Sequence, residues 1–590
     1  MRTIAHVTHE AVHKVGGIGA VIEGLLTSDA YRKGKHRTVI IGPMFASKGT
    51  ADGRLGPAGK VLYSSIDGVY QHPVSEALNG VCNDLNVDIV YGNRTIINPH
   101  NGVRVNPETV LIDVSRIDPG KVNACKSMLW QRYGIDSTRY EEIWDYDLYV
   151  RLAFPALAVL HALGAADTGD RCVVLAHEYM GMPTALAAKM DPSNAFRSVF
   201  YAHEVSTIRR IVEEHPGHDV TFYNILSSAL EGGRYIENIF GPQDHYYRHA
   251  LVKASRHCDK IFAVGDNVAK ELRFLGPEFA DVPIHTTYNG IPVERITLAQ
   301  KHTSRELLRD YVETLLGYRP DYIFTHVTRT AVSKGLWRDI RVLEFLEQEF
   351  RSKGKSGVLL VLSTEIGRRQ PEDIREMERW WRWPVAHREI APDLSDGEAL
   401  FYQGVQEFNA RSRQIKIVFV NQFGWDRVVC GKRMPTEMEL MDMRRGSDVE
   451  FGQSIYEPYG IAQLEPLTFG GICAMSRVCG CAGFLDKVTA GREAPNIVVA
   501  DYVNLGLGPW DERELLDLGR DQRSRHEAKV AEQVAGQLID LLPTDDAAIE
   551  ALMKSGYELA NKMSWEVAAG EYIMPPVKEL FRKSRAAGVA

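Results

Sequence analysis

The chain has 590 residues and a formal net charge of −8, from 69 Lys and Arg against 77 Asp and Glu. Its 45% hydrophobic and 25% charged residues are typical of a globular protein and exclude a disordered, collagen-like or coiled-coil chain. The mild acidity, without a basic tract, gives no electrostatic footprint for nucleic acid or an anionic membrane. We therefore expect neither as a partner.

The chain start and the cysteines indicate an intracellular protein. The opening MRTIAHVTHE has no apolar signal segment. The longest apolar stretch, 152–166, is broken by Pro155 and His161 and falls short of the roughly 20 residues that span a bilayer. The eight cysteines lack the spacing of a disulfide framework or a zinc site. We predict a cytoplasmic protein.

Short apolar runs alternate with longer helical patterns through the first half of the chain. Continuous apolar character is what strands buried on both faces of a parallel sheet require. The predicted strands are 3–7, 38–42, 87–91, 172–176, 198–202 and 260–264. They predict a doubly wound α/β domain.

A second strand series follows a polar linker near 288–305. Its predicted strands are 322–327, 358–362, 415–420, 472–475 and 496–500. They predict a second doubly wound domain, and insertions at about 205–250 and 365–413 interrupt the alternation. In such sheets ligands bind at the carboxyl ends of the strands, so we expect the chemistry in loops facing an interdomain cleft.

The first predicted strand leads into a glycine-rich turn, HisGluAlaValHisLysValGlyGlyIleGly, before a helical pattern. Gly16, Gly17 and Gly19 allow a ligand to approach the backbone, and amides at a helix start favour an anion such as a diphosphate. Lys14 adds a charge beside the turn. A strand-to-helix turn without a ligand accounts equally for the pattern.

Two cations follow the first strand of the second domain. Arg329 comes directly after HisValThr, and Lys334 lies five residues further at a helix start. Two cations so placed can stabilise the charge on a departing diphosphate. Taken alone, the pair is better explained by solvated side chains on an ordinary loop.

Glu457 and Glu465 belong to SerIleTyrGluProTyrGlyIleAlaGlnLeuGlu, and seven residues separate them. ProTyrGly predicts a turn after Glu457, and an apolar helical pattern leads to Glu465 two turns down a helix. Two carboxylates at that spacing suit the hydroxyls of a sugar and a ribose. A pair of exposed helix carboxylates is the alternative interpretation.

These motifs, in this order and on these domains, resemble the retaining GT-B glycosyltransferases, and within them the glycogen and starch synthases. AlaHisGluTyrMetGlyMetProThrAla (176–185), PheTyrAlaHisGlu (200–204) and MetSerTrpGluValAlaAlaGlyGluTyr (563–572) are similar to further segments of that family. The resemblance implies an acceptor-side domain over 1–295, a nucleotide-sugar-binding domain over 305–562 and a helix over 563–590 that crosses back to the first domain.

The resemblance also implies roles for site residues. The family's histidine that binds the donor sugar corresponds to His177, and Glu457 would contact sugar hydroxyls. Arg329 and Lys334 would stabilise the diphosphate, and Glu465 would bind ribose. The remaining substrate-binding residues implied are Lys14, Gly16, Gly17, His203, Tyr459, Gly460 and Ile461.

The implied reaction is transfer of glucose from ADP-glucose or UDP-glucose to the non-reducing end of an α-1,4-glucan, with retention of configuration. The sequence departs from the family at Tyr179, Ala462 and 479–483, which leaves the donor and acceptor open. A retaining GT-B enzyme with a small sugar, sugar-phosphate or other saccharide acceptor is the alternative, and a non-catalytic glucan-binding paralogue is a third hypothesis.

We expect no cofactor beyond the nucleotide-sugar substrate and no metal. His215 and His218 could suggest a metal, but a Pro-Gly turn with solvated charges explains them more simply. The partners expected are a nucleotide sugar and an α-glucan or oligosaccharide acceptor. The sequence leaves the oligomeric state open, including a homo-oligomer.

Overall fold

The computed structural model describes residues 2–14, 16–45, 50–166, 171–506 and 510–582. The chain divides into two compact units. Unit 1 comprises residues 1–208, 229–290 and 565–590, and unit 2 comprises 209–228 and 291–564. The segment 209–228, part of the first predicted insertion, thus belongs to unit 2 although strands of unit 1 flank it in the chain.

Unit 1 is built on a mixed sheet that is parallel over most of its width. Its strands are β1 (Thr3–Val7), β2 (Arg37–Pro43), β3 (Lys60–Ser64), β4 (Val69–Tyr70), β5 (Asp88–Asn93), β6 (Ile96–Ile97), β7 (Arg104–Val105), β8 (Glu108–Asp113), β9 (Cys172–His177), β10 (Phe196–Ala202), β11 (Lys260–Ala263) and β12 (Ile284–Thr286). The described residues form a ten-stranded sheet in the order β12-β11-β10-β9-β1-β2-β8-β5-β3-β4, and β6 pairs with β7 separately. The pairing is parallel from β12 to β8 and antiparallel from β8 to β4.

Helices connect these strands. They are α1 (Gly17–Thr27), α2 (Asp29–Arg32), α3 (Ser75–Leu85), α4 (Pro119–Tyr133), α5 (Trp144–Ala162), α6 (Glu178–Met190), α7 (Ser206–Glu214), α8 (His218–Glu231), α9 (Ile236–Phe240), α10 (Tyr247–Lys253) and α11 (Asp266–Phe274). Every residue of β1, β9 and β10 is buried, as their continuous apolar runs predict.

Unit 2 has a six-stranded parallel sheet among its described residues. Its strands are β13 (Tyr322–Val327), β14 (Gly357–Leu362), β15 (Ile415–Val420), β16 (Val449–Gly452), β17 (Ile472–Ser476) and β18 (Ile497–Ala500), in the order β15-β14-β13-β16-β17-β18. Its helices are α12 (Leu298–Leu316), α13 (Leu336–Lys353), α14 (Pro371–Trp381), α15 (Asp396–Arg411), α16 (Arg427–Cys430), α17 (Leu440–Gly446), α18 (Gly480–Thr489), α19 (Glu512–Leu516), α20 (Arg520–Leu541) and α21 (Asp546–Lys562).

Successive residues along the strands of this sheet pack into two separate hydrophobic clusters, one on each face. Ile323 and Leu360 pack in a cluster on one face, whereas Phe324 and Leu359 pack in a cluster on the other. Strands buried on both faces account for the near-continuous apolar runs of the sequence.

The closing segment 565–582 belongs to unit 1, as the expected crossover helix requires. It consists of α22 (Trp565–Val567), a π-helical turn (Ala568–Ile573) and α23 (Met574–Arg582). Gly24 faces the Trp565 indole so closely that a Cβ there would lie 2.1 Å from it. The Glu566 carboxylate accepts the Asp29 and Ala30 amides at 2.6 and 3.0 Å. Residues 583–590 of the predicted helix lie outside the described residues.

Candidate functional site

The strand order of unit 2 contains the kind of switch point at which open α/β sheets bind ligands. β13 is the first strand of its sheet in the chain and lies between β14 and β16, so the direction of chain progression reverses between β13 and β16. In open α/β sheets ligands bind outside the carboxyl ends of the strands at this switch point. The loop after β13 carries Arg329 and Lys334, and the loop after β16 carries Glu457. All three are therefore at the expected position.

The structure brings Lys334 and Glu457 into direct contact. The Lys334 Nζ lies 2.5 Å from Glu457 Oε2, and the two side chains are only 14% and 18% exposed. Backbone bonds hold the loops together, because the Ile455 amide donates to the Ser333 carbonyl at 2.8 Å. Arg329 is exposed and makes no hydrogen bond or ion pair with any described residue. Its guanidinium is thus available to an anion.

The turn after Glu457 offers backbone donors. Gly460 has φ +96°, and the amides of Gly460 and Ile461 donate to no acceptor among the described residues. The Tyr459 carbonyl accepts the Cys481 amide at 2.9 Å. At Gly480 a Cβ would lie 1.9 Å from the Pro458 carbonyl oxygen, so only glycine fits where α18 meets this turn.

Glu465 is not on the α-helix that its sequence pattern predicts. Residues 462–469 form a 3₁₀ helix, since Pro466 has no amide hydrogen for an α-helical bond. The Glu465 carboxylate pairs with the buried Arg444 at 2.7 Å, and Arg444 also pairs with Glu450 at 3.1 Å. Ribose binding by Glu465 stays a prediction, and its carboxylate already has a cationic partner.

A buried polar network, which sequence reasoning missed, supports the two loops. Arg338 is fully buried and pairs with Asp219 at 2.6 Å and Glu527 at 3.0 Å. Its guanidinium lies 3.8 Å from the centre of the Tyr502 ring. The same group donates to the Gln453 carbonyl at 3.4 Å, just before the Glu457 turn. The network therefore links α13, which follows the loop after β13, to the start of the loop after β16.

In unit 1 the glycine-rich turn differs from the expectation of free amides. The buried Glu10 carboxylate accepts the Gly16 amide at 3.0 Å and the Gly19 amide at 2.9 Å. These amides are thus engaged by the protein's own anion, because a carboxylate at a helix start satisfies its unpaired N–H groups. Lys14 lies 3.7 Å from Glu23. Diphosphate binding by Lys14, Gly16 and Gly17 stays a prediction.

His177 and His203 belong to a row of three imidazoles. His6 lies in β1, His177 ends β9 and His203 follows β10, and these three strands are adjacent in the sheet. The His177 Nε2 lies 2.9 Å from His6 Nδ1, and its Nδ1 lies 2.8 Å from His203 Nε2. Burial lowers the pKa of His6 and of His203 to about 3. Burial first, then the neighbouring imidazoles, lowers the pKa of His177 well below its ordinary value.

Glu178 fixes the backbone beside this row. It has φ +61°, a left-handed conformation that costs a non-glycine residue about 1–3 kcal/mol and that clusters at functional sites. Its carboxylate accepts the amides of His203 and Glu204. Burial, followed by the charge of Glu204, raises the pKa of Glu178 well above its ordinary value.

Tyr179, where the family pattern has tryptophan, is tied to a polar cluster. Its hydroxyl donates to Asp145 at 2.9 Å, and the Arg248 guanidinium lies 4.5 Å from its ring centre. Tyr247 donates to the same carboxylate at 2.5 Å. The phenol in place of an indole thus has a hydrogen-bonding function in the fold.

The two insertions are mainly helical. His215 Nε2 and His218 Nδ1 contact the carbonyl oxygens of Leu516 and Val212, at 3.1 and 2.7 Å. Among the described residues no group of His, Cys, Asp and Glu has the arrangement of a metal site. In the second insertion Trp383 is buried and donates to Asn421 at 2.7 Å, whereas Trp380 is 62% exposed. Within the described part of the chain no helix has the length and apolar character to cross a bilayer.

No protein-family model and no curated protein matches the sequence. Solved structures do match along the whole chain. A structure described as trehalose-6-phosphate from E. coli bound with UDP-2-fluoro glucose shares 13% identity, with a TM-score of 0.50 over 99% of both chains. Sucrose-phosphate synthase from Thermosynechococcus elongatus and a UDP-forming α,α-trehalose-phosphate synthase from Burkholderia xenovorans each share 13% identity at a TM-score of 0.49, covering 99% of this chain and 100% of theirs.

The first of these likenesses, together with the largely parallel sheet of unit 1 and the parallel sheet of unit 2, shows the fold class. The fold is GT-B, built from two Rossmann-like units with the closing segment returned to the first, and the fold predicted from the sequence is confirmed.

Proposed function

We propose that the protein is a retaining hexosyltransferase that uses a nucleotide-diphosphate sugar as donor. The observation that carries the proposal is the group of donors at the switch point of unit 2. It comprises the unpartnered Arg329, the Lys334 ammonium held by Glu457, and the free amides of Gly460 and Ile461 among the described residues. Cations and N–H groups so grouped suit the oxygens of a nucleoside diphosphate.

These groups have a defined task in the transfer. The bond between the anomeric carbon and the diphosphate oxygen breaks, the acceptor hydroxyl oxygen bonds to the same face of the sugar, and the hydroxyl proton passes to the departing diphosphate. Negative charge accumulates on the departing diphosphate, where Arg329 and Lys334 stabilise it; preorganised charge of this kind is usually the largest single term in catalysis. Glu457 keeps the ammonium in place before the donor binds and then offers its carboxylate to sugar hydroxyls.

For the acceptor we favour a small sugar or sugar phosphate over the glucan chain end that the family resemblance implied. The support is the full-length likeness to the E. coli structure, whose description names trehalose-6-phosphate and UDP-2-fluoro glucose. The same likeness favours UDP-glucose over ADP-glucose. A glucan acceptor is the second candidate because the 62% exposed Trp380 has an indole face on which sugar rings can stack.

The test is nucleotide release with two donors and four acceptors. UDP-glucose and ADP-glucose are each incubated with glucose, glucose 6-phosphate, fructose 6-phosphate or glycogen, and the released nucleotide and the sugar product are both measured. We expect UDP release that depends on a hexose phosphate. Release that requires glycogen, and labels it, would instead select the glucan synthase. No release with any pair would reject both.

A further inference from the structure

The row of imidazoles in unit 1 continues into the interior beyond the two histidines that the family resemblance identified. His6 Nε2 lies 3.0 Å from the Tyr31 hydroxyl, and that hydroxyl lies 3.1 Å from Thr38 Oγ1. The sequence of contacts is thus Thr38, Tyr31, His6, His177 and His203. Tyr31, His6 and His177 are buried, and the two ends of the row, Thr38 and His203, are half-buried.

Every ring nitrogen in the row has a partner except one. His6 and His177 use both nitrogens within the row, and His203 uses Nε2. The His203 Nδ1 has no partner among the described residues. It is therefore the one nitrogen of the three rings that a ligand can reach, whereas His177 has neither nitrogen free for the sugar contact that the resemblance gives it.

The protons of such a row move together, because a neutral imidazole has one donor and one acceptor nitrogen. In one arrangement Tyr31 donates to His6 Nε2, each ring then carries its proton on Nδ1, and His203 presents an N–H outward. In the other all three rings carry it on Nε2, and His203 presents a bare acceptor. The two arrangements give His203 opposite hydrogen-bonding character.

The hydrogen bond between Tyr31 and Thr38, at the end of the row opposite His203, distinguishes between the two arrangements. In the first arrangement the Thr38 hydroxyl donates to the Tyr31 oxygen and Tyr31 donates to His6, so each hydroxyl proton has an acceptor. In the second Tyr31 donates to Thr38, and the Thr38 hydroxyl proton has no acceptor among the described residues. Only solvent can then accept the Thr38 proton, whereas the first arrangement pairs it within the protein. The first arrangement is the better satisfied.

We propose that Tyr31 and His6 are positioning residues that hold His177 and His203 as Nδ1–H tautomers, so that His203 donates its Nδ1–H to a sugar oxygen bound at the carboxyl edge of the first sheet. Glu178 supports this geometry, since its carboxylate fixes the backbone amide of His203. The ring planes of His177 and His203 are 11° apart, so rotation of one ring breaks the row. The sugar ligand rests on the proposed function, whereas the tautomers do not.

The tautomers are measured on the full-length protein without substrate. Protein with ¹⁵N-labelled histidine is examined by long-range ¹H–¹⁵N NMR, and the His203 signals are assigned with His203→Gln. We expect His6, His177 and His203 all to carry the proton on Nδ1. Tyr31→Phe removes the hydroxyl that donates to His6 Nε2, so the preference for one tautomer should be lost and Nε2–H rings should appear beside the Nδ1–H rings. Tyr146→Phe is the matched control, because the buried Tyr146 hydroxyl bonds to Ser137 at 2.7 Å outside the row; it should leave the tautomers unchanged.

The binding consequence is measured separately. Loss of one hydrogen bond to a hydroxyl that does not react should raise the KM for the sugar substrate about three- to tenfold in Tyr31→Phe, with little change in kcat. An Nε2–H tautomer at His203 in the wild type, or identical tautomers in wild type and Tyr31→Phe, would overturn the positioning proposal whatever the activity. A protein with Nδ1–H tautomers but no transferase activity would instead reject the proposed function alone.

Discussion

Replacing Arg329 by alanine tests the proposed chemistry with little risk to the fold. Arg329 is exposed and makes no hydrogen bond or ion pair with any described residue, so its removal breaks none in the described fold. Surface changes of this kind alter stability by about 0.5 kcal/mol or less. Almost all of any loss in activity therefore reports on the transition state.

The magnitude follows from the role of the guanidinium. Removal of one preorganised donor to a developing anion costs about 10²- to 10³-fold in kcat, or roughly 3–4 kcal/mol. We expect a loss of that size in nucleotide release by Arg329→Ala. Lys334→Ala should lose at least as much, because it also leaves the largely buried Glu457 carboxylate, 2.5 Å from the ammonium, without its cation.

The control is Arg351→Ala. Arg351 is likewise exposed and unpaired among the described residues, but it lies in the last turn of α13, the helix that begins two residues after Lys334. It should retain full activity, and all three variants should be compared for kcat, KM and melting temperature. A kcat of Arg329→Ala within about twofold of the wild type, with unchanged stability, would refute the role of the switch-point cations.

Three further predictions concern other parts of the molecule. Gly480→Ala should displace the 457–461 turn, since the added Cβ would lie 1.9 Å from a carbonyl oxygen there, and we expect lower turnover and a lower melting temperature. Gly536→Ala, on a helix with open space around it, should lower neither. Glu465→Ala should raise the donor KM more than it lowers kcat, because ribose binding is uniform between ground and transition states; an unchanged KM argues against ribose contact. The pKa of His6 in the folded state, about 3, is lower than in the unfolded chain, so the unfolded state takes up a proton first on acidification. The free energy of unfolding therefore decreases below about pH 6.5, by about 1.4 kcal/mol per pH unit for each such histidine. The melting temperature of His6→Gln should therefore fall less than that of the wild type between about pH 7 and pH 5. An equal fall in both proteins would contradict a buried, neutral imidazole at His6.

Several of the strands that the sequence predicts are buried along almost their whole length. Residues 322–327 and 415–420 are strands over the predicted ranges, because their mainly apolar character suits strands buried on both faces of a parallel sheet. β16 escaped prediction because it has four residues, one of them Glu450. That carboxylate is buried and is satisfied by the Val327 amide at 2.9 Å and by Arg444. Its partners are distant in sequence, so no local pattern reveals them.

The site was predictable to the extent that it depends on loop position. A strand followed by Arg329 and Lys334 puts both cations at a sheet edge, and the turn at ProTyrGly puts Glu457 at the next strand in the sheet. The Arg338 network was not predictable, because Asp219 and Glu527 are more than a hundred residues away on either side. The occupation of the Gly16 and Gly19 amides by Glu10 likewise depends on a carboxylate folding back over the turn, and spacing alone does not encode that.

The most direct test of the account follows the sugar itself. UDP-glucose labelled with ¹³C at the anomeric carbon is incubated with the protein and a hexose phosphate, and the product is identified by NMR. The proposed retaining transfer requires an α-linked disaccharide phosphate, released together with one equivalent of UDP, and loss of both products in Arg329→Ala. A β-linked product, free glucose alone, or equal product from Arg329→Ala and the wild type would contradict it.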